Sequence, residues 1–454
     1  MGVVVISKSP PVVVKPPEPV METGGEINLS LYDMWRVNTS ETVFLVFEHA
    51  IQEPADTIKR AVSQALVHYY PLAGRLAAGA TATEVVIKCS ADGVSFVAAS
   101  ANSTMKEVQD LSDPALKEEL SVFYPEADVL SRYSDPLVLM QVTVFSCGGF
   151  VLGITWNHAV ADGVGMGQFL QAVGELARGL PSPSVVPLRR DDSISLGPPP
   201  AFTKIVHFLG SLQPSQMALL DFTVKQSLVN RVKDKYYATT NSGRLCTVFE
   251  AVAAVLWRCR TRVIMSESGP EALTVLMVTT NARKYAGAKE GYYGNCVLRQ
   301  LAIATAEEVA NGEITDLVKM IQGAKDRVPD QSDMDQLLQL TNWYDLFRIT
   351  SWRNIGLEAP DFGAGRPARG NSTGTPPTWY TPPRAGEDEG HGVAKSSAMA
   401  AAPSRGRFVA LLCFVLSLYV RNRWRLYKCH SLQITHYFGR LFTSSYYGHI
   451  LFYS

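Results

Sequence analysis

Cysteine is scarce in this 454-residue chain: there are seven, and no two stand as a Cys-x-x-Cys pair. That excludes a disulfide-stapled scaffold and a zinc ribbon, and it points to a reducing compartment. Net charge is missing as well. Lys plus Arg and Asp plus Glu number 42 each, so nothing in the overall balance favours DNA or another polyanion as partner. No apolar run is long enough to cross a bilayer. The longest, Phe408–Val420, has 13 residues and as a helix would reach about 20 Å, against roughly 30 Å of hydrocarbon. The start, Met1-Gly2-Val3-Val4-Val5-Ile6-Ser7, lacks a basic region ahead of an adequate apolar core, and Ile6 stands where a myristoylation signal wants Ser or Thr. A P-loop and a Gly-x-Ser-x-Gly elbow are also absent. The expectation is a soluble, cytoplasmic protein with no membrane span and no nucleic-acid partner.

What is present is ample material for large cores, since 46% of residues are hydrophobic. The pattern alternates strands and helices. Thr42–His49 is rich in Val and Phe and reads as a strand. Pro54–Tyr69 follows as a helix, with Pro early and Ile58, Ala61, Val62, Ala65 and Leu66 at helical spacing. Leu137–Phe145 and Phe150–Trp156 flank Ser146-Cys147-Gly148-Gly149 as a hairpin, and Gly165–Arg178 is an amphipathic helix. Leu180–Pro200 is rich in proline and serine and predicts a linker. Beyond it, Thr247 with Glu250 three residues on has capping-box spacing for a helix Thr247–Val263. Leu273–Thr279, Val297–Ile303 and Tyr344–Ser351 read as strands, and Ile314–Val328 as a helix. The fold class expected is α/β, with two domains (1–180 and 201–369), each a mixed sheet packed with helices, joined by the linker 181–200.

Residues 370–454 differ from the rest. They hold nine Lys and Arg against three Asp and Glu, with 14 of the 43 aromatics, and show no sustained helical or strand period. Two readings suit them: a basic-aromatic arm of the kind that binds single-stranded nucleic acid, or a segment not shaped for this fold, such as a frame-shifted gene end. The second is preferred, and this tail is expected to be poorly ordered.

One chemical signal stands out, His158-Ala159-Val160-Ala161-Asp162-Gly163. It follows a strand directly and precedes a helix. A His at a strand end in such a turn can point into a cleft, and its ordinary pKa near 6.5 suits proton abstraction. Taken alone, the same pattern fits a structural His. Metal binding is not expected, because His158 and Asp162 have no further ligand pair to complete a site.

With Asp361-Phe362-Gly363-Ala364-Gly365-Arg366-Pro367 some 200 residues later, the chain resembles the BAHD family of plant acyl-CoA-dependent acyltransferases, whose marks are HxxxD and DFGWG. Tyr69–Leu76 (YYPLAGRL), Tyr292–Cys296 (YYGNC) and Thr350–Trp352 are similar to the family too, so the resemblance covers roughly 10–369. Within the family the chain looks nearest to the benzyl alcohol benzoyltransferase-like and taxane acetyltransferase-like branch. The resemblance implies two chloramphenicol-acetyltransferase-like domains with an active-site channel between them, HxxxD on the first and DFGAG on the second, in a monomer. It implies acyl transfer from an acyl-CoA co-substrate to an alcohol or amine of a specialised metabolite, with no covalent intermediate and no permanently bound cofactor. His158 would be the general base. Asp162, followed by Gly163, would hold the loop by pairing with Arg283, which sits where the family has Asn-Val-Arg. Asp361, Phe362, Gly363 and Gly365 would form a structural turn. Ala364 replaces the family Trp, so an indole donor for the thioester oxyanion is missing there, and Trp352 or a backbone N–H would serve instead. Past Ala368-Arg369 the family's late strands and final helix are not recognisable, and unpaired sheet edges are expected. That departure keeps open a second reading, a catalytically defective or non-catalytic relative.

Overall fold

A computed structural model describes residues 4–18, 25–81, 84–107, 114–125, 133–211, 217–218, 221–240, 243–340 and 345–374, with the backbone of 379–380, 394–397 and 400–401. Chain contacts divide it into two compact units, and the division is not a single cut along the sequence. The first unit takes the chain up to Pro199, then Thr280–Leu298, then the segment from Trp352; the second takes Pro200–Thr279 and Arg299–Ser351. The split after Pro199 coincides with the end of the expected linker. A continuous 201–369 domain is not what forms, because Arg283 and Asp361 both return to the first unit.

The first unit is built on an eight-stranded mixed sheet. Its main strands are β1 (Ile6–Lys8), β2 (Ser40–Phe47), β3 (Val94–Ala101), β4 (Val138–Phe145) and β5 (Phe150–Asn157), in the spatial order β1-β3-β4-β5-β2. β3 and β4 run parallel; β4–β5 and β5–β2 are antiparallel. β5 is buried along its whole length, which explains why its sequence, FVLGITWN, carries no period-2 alternation. The predicted hairpin joins β4 to β5, with Gly148 at a φ of 84° that suits glycine. Two helices carry the apolar stripe read from the sequence: α1 (Pro54–His68), which buries Ile58, Ala61, Val62, Ala65 and Leu66, and α2 (Gly163–Ala177), which packs against it. Apolar side chains of β2, β4 and β5, among them Phe44, Val46, Phe145 and Val151, form one cluster with Leu120.

Two expectations need correction. The stretch 181–200 is not a bare linker. Leu188 bridges to Tyr292, and Arg189 and Ser193 are buried; proline permits extended, packed chain without a ladder, so composition alone misleads here. Nor is the edge of β2 unpaired. Arg369–Gly374 forms a strand antiparallel to it, from Arg369 opposite Val46 to Gly374 opposite Glu41, and Trp379–Tyr380 pairs beyond. A ladder uses backbone groups, so RGNSTG can complete it without the alternating pattern by which strands are read. The apolar run 408–420 and the basic cluster that follows lie outside the described residues.

The second unit has its own core. The helix Val248–Ser268 is capped as read: Glu250 N–H donates to Thr247 Oγ1 at 3.2 Å, and Thr247 N–H to Glu250 Oε2 at 2.9 Å. Its Trp257 joins Leu276, Val278 and Phe347 in the core. These come from a three-stranded sheet ordered Val297–Thr305, Leu273–Asn281, Leu346–Ile349.

Candidate active site

Every residue of the site described here belongs to the first unit. β5 ends at Asn157, so the chain must turn, and the turn is pinned group by group. Asn157 donates through Nδ2 to Val37 O at 3.1 Å and accepts from Ala159 N–H at 2.9 Å. His158 N–H donates to Thr39 O at 2.8 Å, and its carbonyl accepts from Asn295 Nδ2 at 2.6 Å. The indole of Trp156 donates to Ala161 O at 2.9 Å. With its backbone so held, His158 has little freedom except in its ring.

Asp162 ends the turn and starts α2. Its Oδ1 caps the helix by accepting from Gly165 N–H at 2.9 Å, and Oδ2 accepts from Cys296 N–H at 3.0 Å. Arg283 donates one guanidinium nitrogen to each oxygen, both at 2.9 Å. The same guanidinium also donates to the carbonyls of Tyr292 and Gly294. Burial works against the charge on Arg283, but Asp162 outweighs it and raises the pKa. This is the bidentate geometry in which a partly buried pair is strongest.

His158 is buried. Burial, with the nearby Arg36 charge second, lowers its pKa from the ordinary 6.5 to about 3. At neutral pH it is therefore uncharged, and these surroundings disfavour its protonated form. Its Nε2 lies 3.7 Å from Glu41 Oε1. Burial raises the Glu41 carboxyl to about 7, with Arg36 pulling the other way. Cys296 is no rival nucleophile: burial pushes its thiol up to about 12.

The remaining residues singled out in the sequence flank α2, some at its start and some at its far end. Gly163 opens α2, and the buried Trp352 and the partly buried Ile355 pack over it; a Cβ there would stand 3.5 Å from the Trp352 ring and 2.9 Å from Ile355 Cδ1. Asp361 closes a turn by accepting from Gly363 N–H at 2.8 Å and Gly365 N–H at 2.9 Å. Both glycines have positive φ, 107° and 79°. Phe362 packs edge-on against Phe47 at 5.1 Å, and Arg178 from the end of α2 donates to the Asp361 carbonyl. The DFGAG turn is thus seated on the far end of α2 from His158. Among the described residues no cluster of His, Cys, Asp and Glu could hold a metal ion.

Several residues that build the site carry no local signal of it. Asp33 is wholly buried; it pairs with Arg189 at 3.1 Å and accepts from Asn295 N–H and Nδ2 at 3.1 and 2.9 Å. Arg189 also donates to Tyr292 Oη at 2.8 Å. Asn295 thereby ties this second ion pair to the His158 carbonyl. Asn295 and Tyr292 sit in the YYGNC stretch noted for its resemblance, whereas Arg189 is hidden in the supposed linker.

The profile of the Transferase family matches residues 3–378. Acyl transferase 15 of Oryza sativa subsp. japonica is 46% identical over 389 residues, covering 81% of this chain and 87% of that protein. Myricetin 3-O-glucosyl 1,2-rhamnoside 6'-O-caffeoyltransferase AT2 of Crocosmia x crocosmiiflora is 33% identical over 387 residues, covering 80% and 87%. Among solved structures, vinorine synthase superposes with a TM-score of 0.65 at 20% identity, covering 81% of this chain and 88% of its own.

Proposed function

From the premise that this chain belongs to the BAHD family of acyl-CoA-dependent acyltransferases, we propose that His158 is the general base for acyl transfer from a CoA thioester to an alcohol or amine. The acceptor's proton passes to His158, its oxygen or nitrogen forms a bond to the thioester carbonyl carbon, the carbon–sulfur bond breaks, and the thiolate takes the proton from the imidazolium. No enzyme atom is acylated. A positioned base contributes about 10²–10⁴-fold, and holding both substrates together adds an effective-concentration gain.

The observation that carries this reading is a neutral, buried imidazole on a loop fixed by Asp162 and Arg283. Asp162 holds the loop and its oxygens are occupied, so it is not assigned a step. Gly163 lets the turn pass beneath Trp352 and Ile355. Trp352, whose ring packs there, would border the thioester, and Asp361, Phe362, Gly363 and Gly365 would brace α2. The acyl-CoA is a co-substrate, not a resident cofactor.

One of the relatives is named for caffeoyl transfer, so a donor panel begins with hydroxycinnamoyl-CoAs and extends to benzoyl-CoA and acetyl-CoA, against alcohols and amines of specialised metabolism. Turnover that disappears in His158→Ala, with folding retained, is the expected result. Turnover of His158→Ala near that of the unaltered protein would refute the base. Acyl-CoA binding without turnover in the unaltered chain would favour the non-catalytic relative.

A further inference from the structure

We infer that Glu41 is the electrostatic partner of the imidazolium that His158 becomes, a positioning residue for the transfer reaction. The inference rests on His158 acting as the base.

A buried base that accepts a proton becomes a buried cation, and a buried cation is strongly disfavoured unless a counter-charge stands near it. Within this site the usual candidate is taken. Both oxygens of Asp162 are bonded, to Arg283, to Gly165 N–H and to Cys296 N–H. Hydrogen bonding of His158 to its own backbone and to Asn295 also favours the protonated ring, but neither group carries a charge. Arg36 adds a repelling charge. Glu41 is the carboxylate left, 3.7 Å from Nε2, with side chains 18% and 9% exposed.

The chain places it there by register. Glu41 is paired with Trp156 across β2 and β5, and Ser40 with Asn157. His158 is two residues beyond Trp156, so Glu41 and His158 are diagonal neighbours on one face, within reach of long side chains. β2 otherwise reads Thr-Val-Phe-Leu-Val-Phe after this position, buried throughout. A carboxylate at the mouth of such a strand is disfavoured by desolvation, the kind of cost met at functional sites.

Glu41 is set to change charge near neutrality, since burial brings its carboxyl to about 7. Above that pH it is a carboxylate and favours the imidazolium; below it the support is gone. Arg36, which precedes β2, favours the Glu41 carboxylate and disfavours the imidazolium; Asp162 at the start of α2 favours the imidazolium and is itself paired with Arg283; the Glu41 and His158 side chains face each other at 3.7 Å. Glu41 keeps its charge through the transfer, and the proton moves only between acceptor, Nε2 and sulfur.

The test is kcat/KM against pH on the full chain, using the acyl-CoA and acceptor pair that the panel turns over fastest, for the unaltered protein, Glu41→Gln, Glu41→Asp and His158→Ala. The unaltered protein is expected to lose activity below an apparent pKa near 7. Glu41→Gln should fall by about 10–100-fold on the alkaline plateau, mainly in kcat, and lose that acidic limb. Glu41→Asp keeps the charge and should keep the limb at a reduced rate, a readout that survives poor folding of the Gln variant. A Glu41→Gln profile overlying that of the unaltered protein overturns the inference, as does loss of the limb in Glu41→Asp. If His158→Ala is inactive while Glu41→Gln is unaffected, only the role of Glu41 fails; if His158→Ala stays active, the base itself fails.

Discussion

At the scale of single residues, the loop depends on a charge pair more than on the His158 ring. Removing one member of a buried pair leaves the other uncompensated, which costs roughly 3–5 kcal/mol. Asp162→Ala strips partners from Arg283, Gly165 N–H and Cys296 N–H at once. It is expected to lower the melting temperature markedly and to abolish transfer, while His158→Ala, which removes a ring and no bonded backbone group, should abolish transfer with a far smaller thermal shift. Thermal unfolding of the two variants side by side checks this, and an Asp162→Ala protein with unchanged melting temperature and activity would contradict it. His158, Asp162 and Arg283 were legible because they fall in short ordered motifs. Glu41 and Asp33 were not, because what makes them matter is the register of β2 and a fold-back that no local window contains.

Elements show where a general rule reverses. Gly within a helix normally destabilises it, so replacement by Ala gains about 1 kcal/mol. At Gly165, in the first turn of α2, a Cβ would stand 1.8 Å from Tyr293 O. The backbone of YYGNC lies directly against the helix there, and that approach lets Asp162 reach Cys296 N–H. Gly165→Ala is therefore expected to destabilise by about 1–3 kcal/mol through overpacking and to depress activity. Gly323, inside the helix Ile314–Asp326, has nothing within 4 Å of its Cβ position; Gly323→Ala should stabilise by about 0.5–1 kcal/mol. Denaturant unfolding of both variants decides: equal shifts of the same sign would show that the contact at Tyr293 does not constrain α2. Pro54–His68, with its early proline and apolar stripe, could be read from sequence to within a residue at its end, whereas Val248–Ser268 was read at its capped start but runs on past Val263. Val94–Ala101 was missed, since its small Ala and Ser residues carry little strand propensity although it pairs on both sides in the sheet.

For the whole molecule, the open question was where the fold ends in the chain. Charge and aromatic content change near residue 370, and composition alone predicts a sheet left unfinished there. Yet the family match runs to 378, and Arg369–Gly374 lies along six residues of β2. That pairing matters to the site, because β2 carries Glu41 and its ladder to this strand ends at Glu41 itself. An unpaired β2 would present a Val- and Phe-rich edge, the kind of surface on which chains associate. Ending the chain after Ala368 is therefore expected to yield aggregated, inactive protein, whereas ending it after Tyr380 keeps both added strands and should retain much more soluble material. Size-exclusion chromatography of the two truncations beside the full chain measures the difference. Equal soluble yield and equal activity for the 368 and 380 truncations would mean that β2 needs no partner on that side. A soluble 380 truncation as active as the full chain would place everything that acyl transfer requires before residue 381.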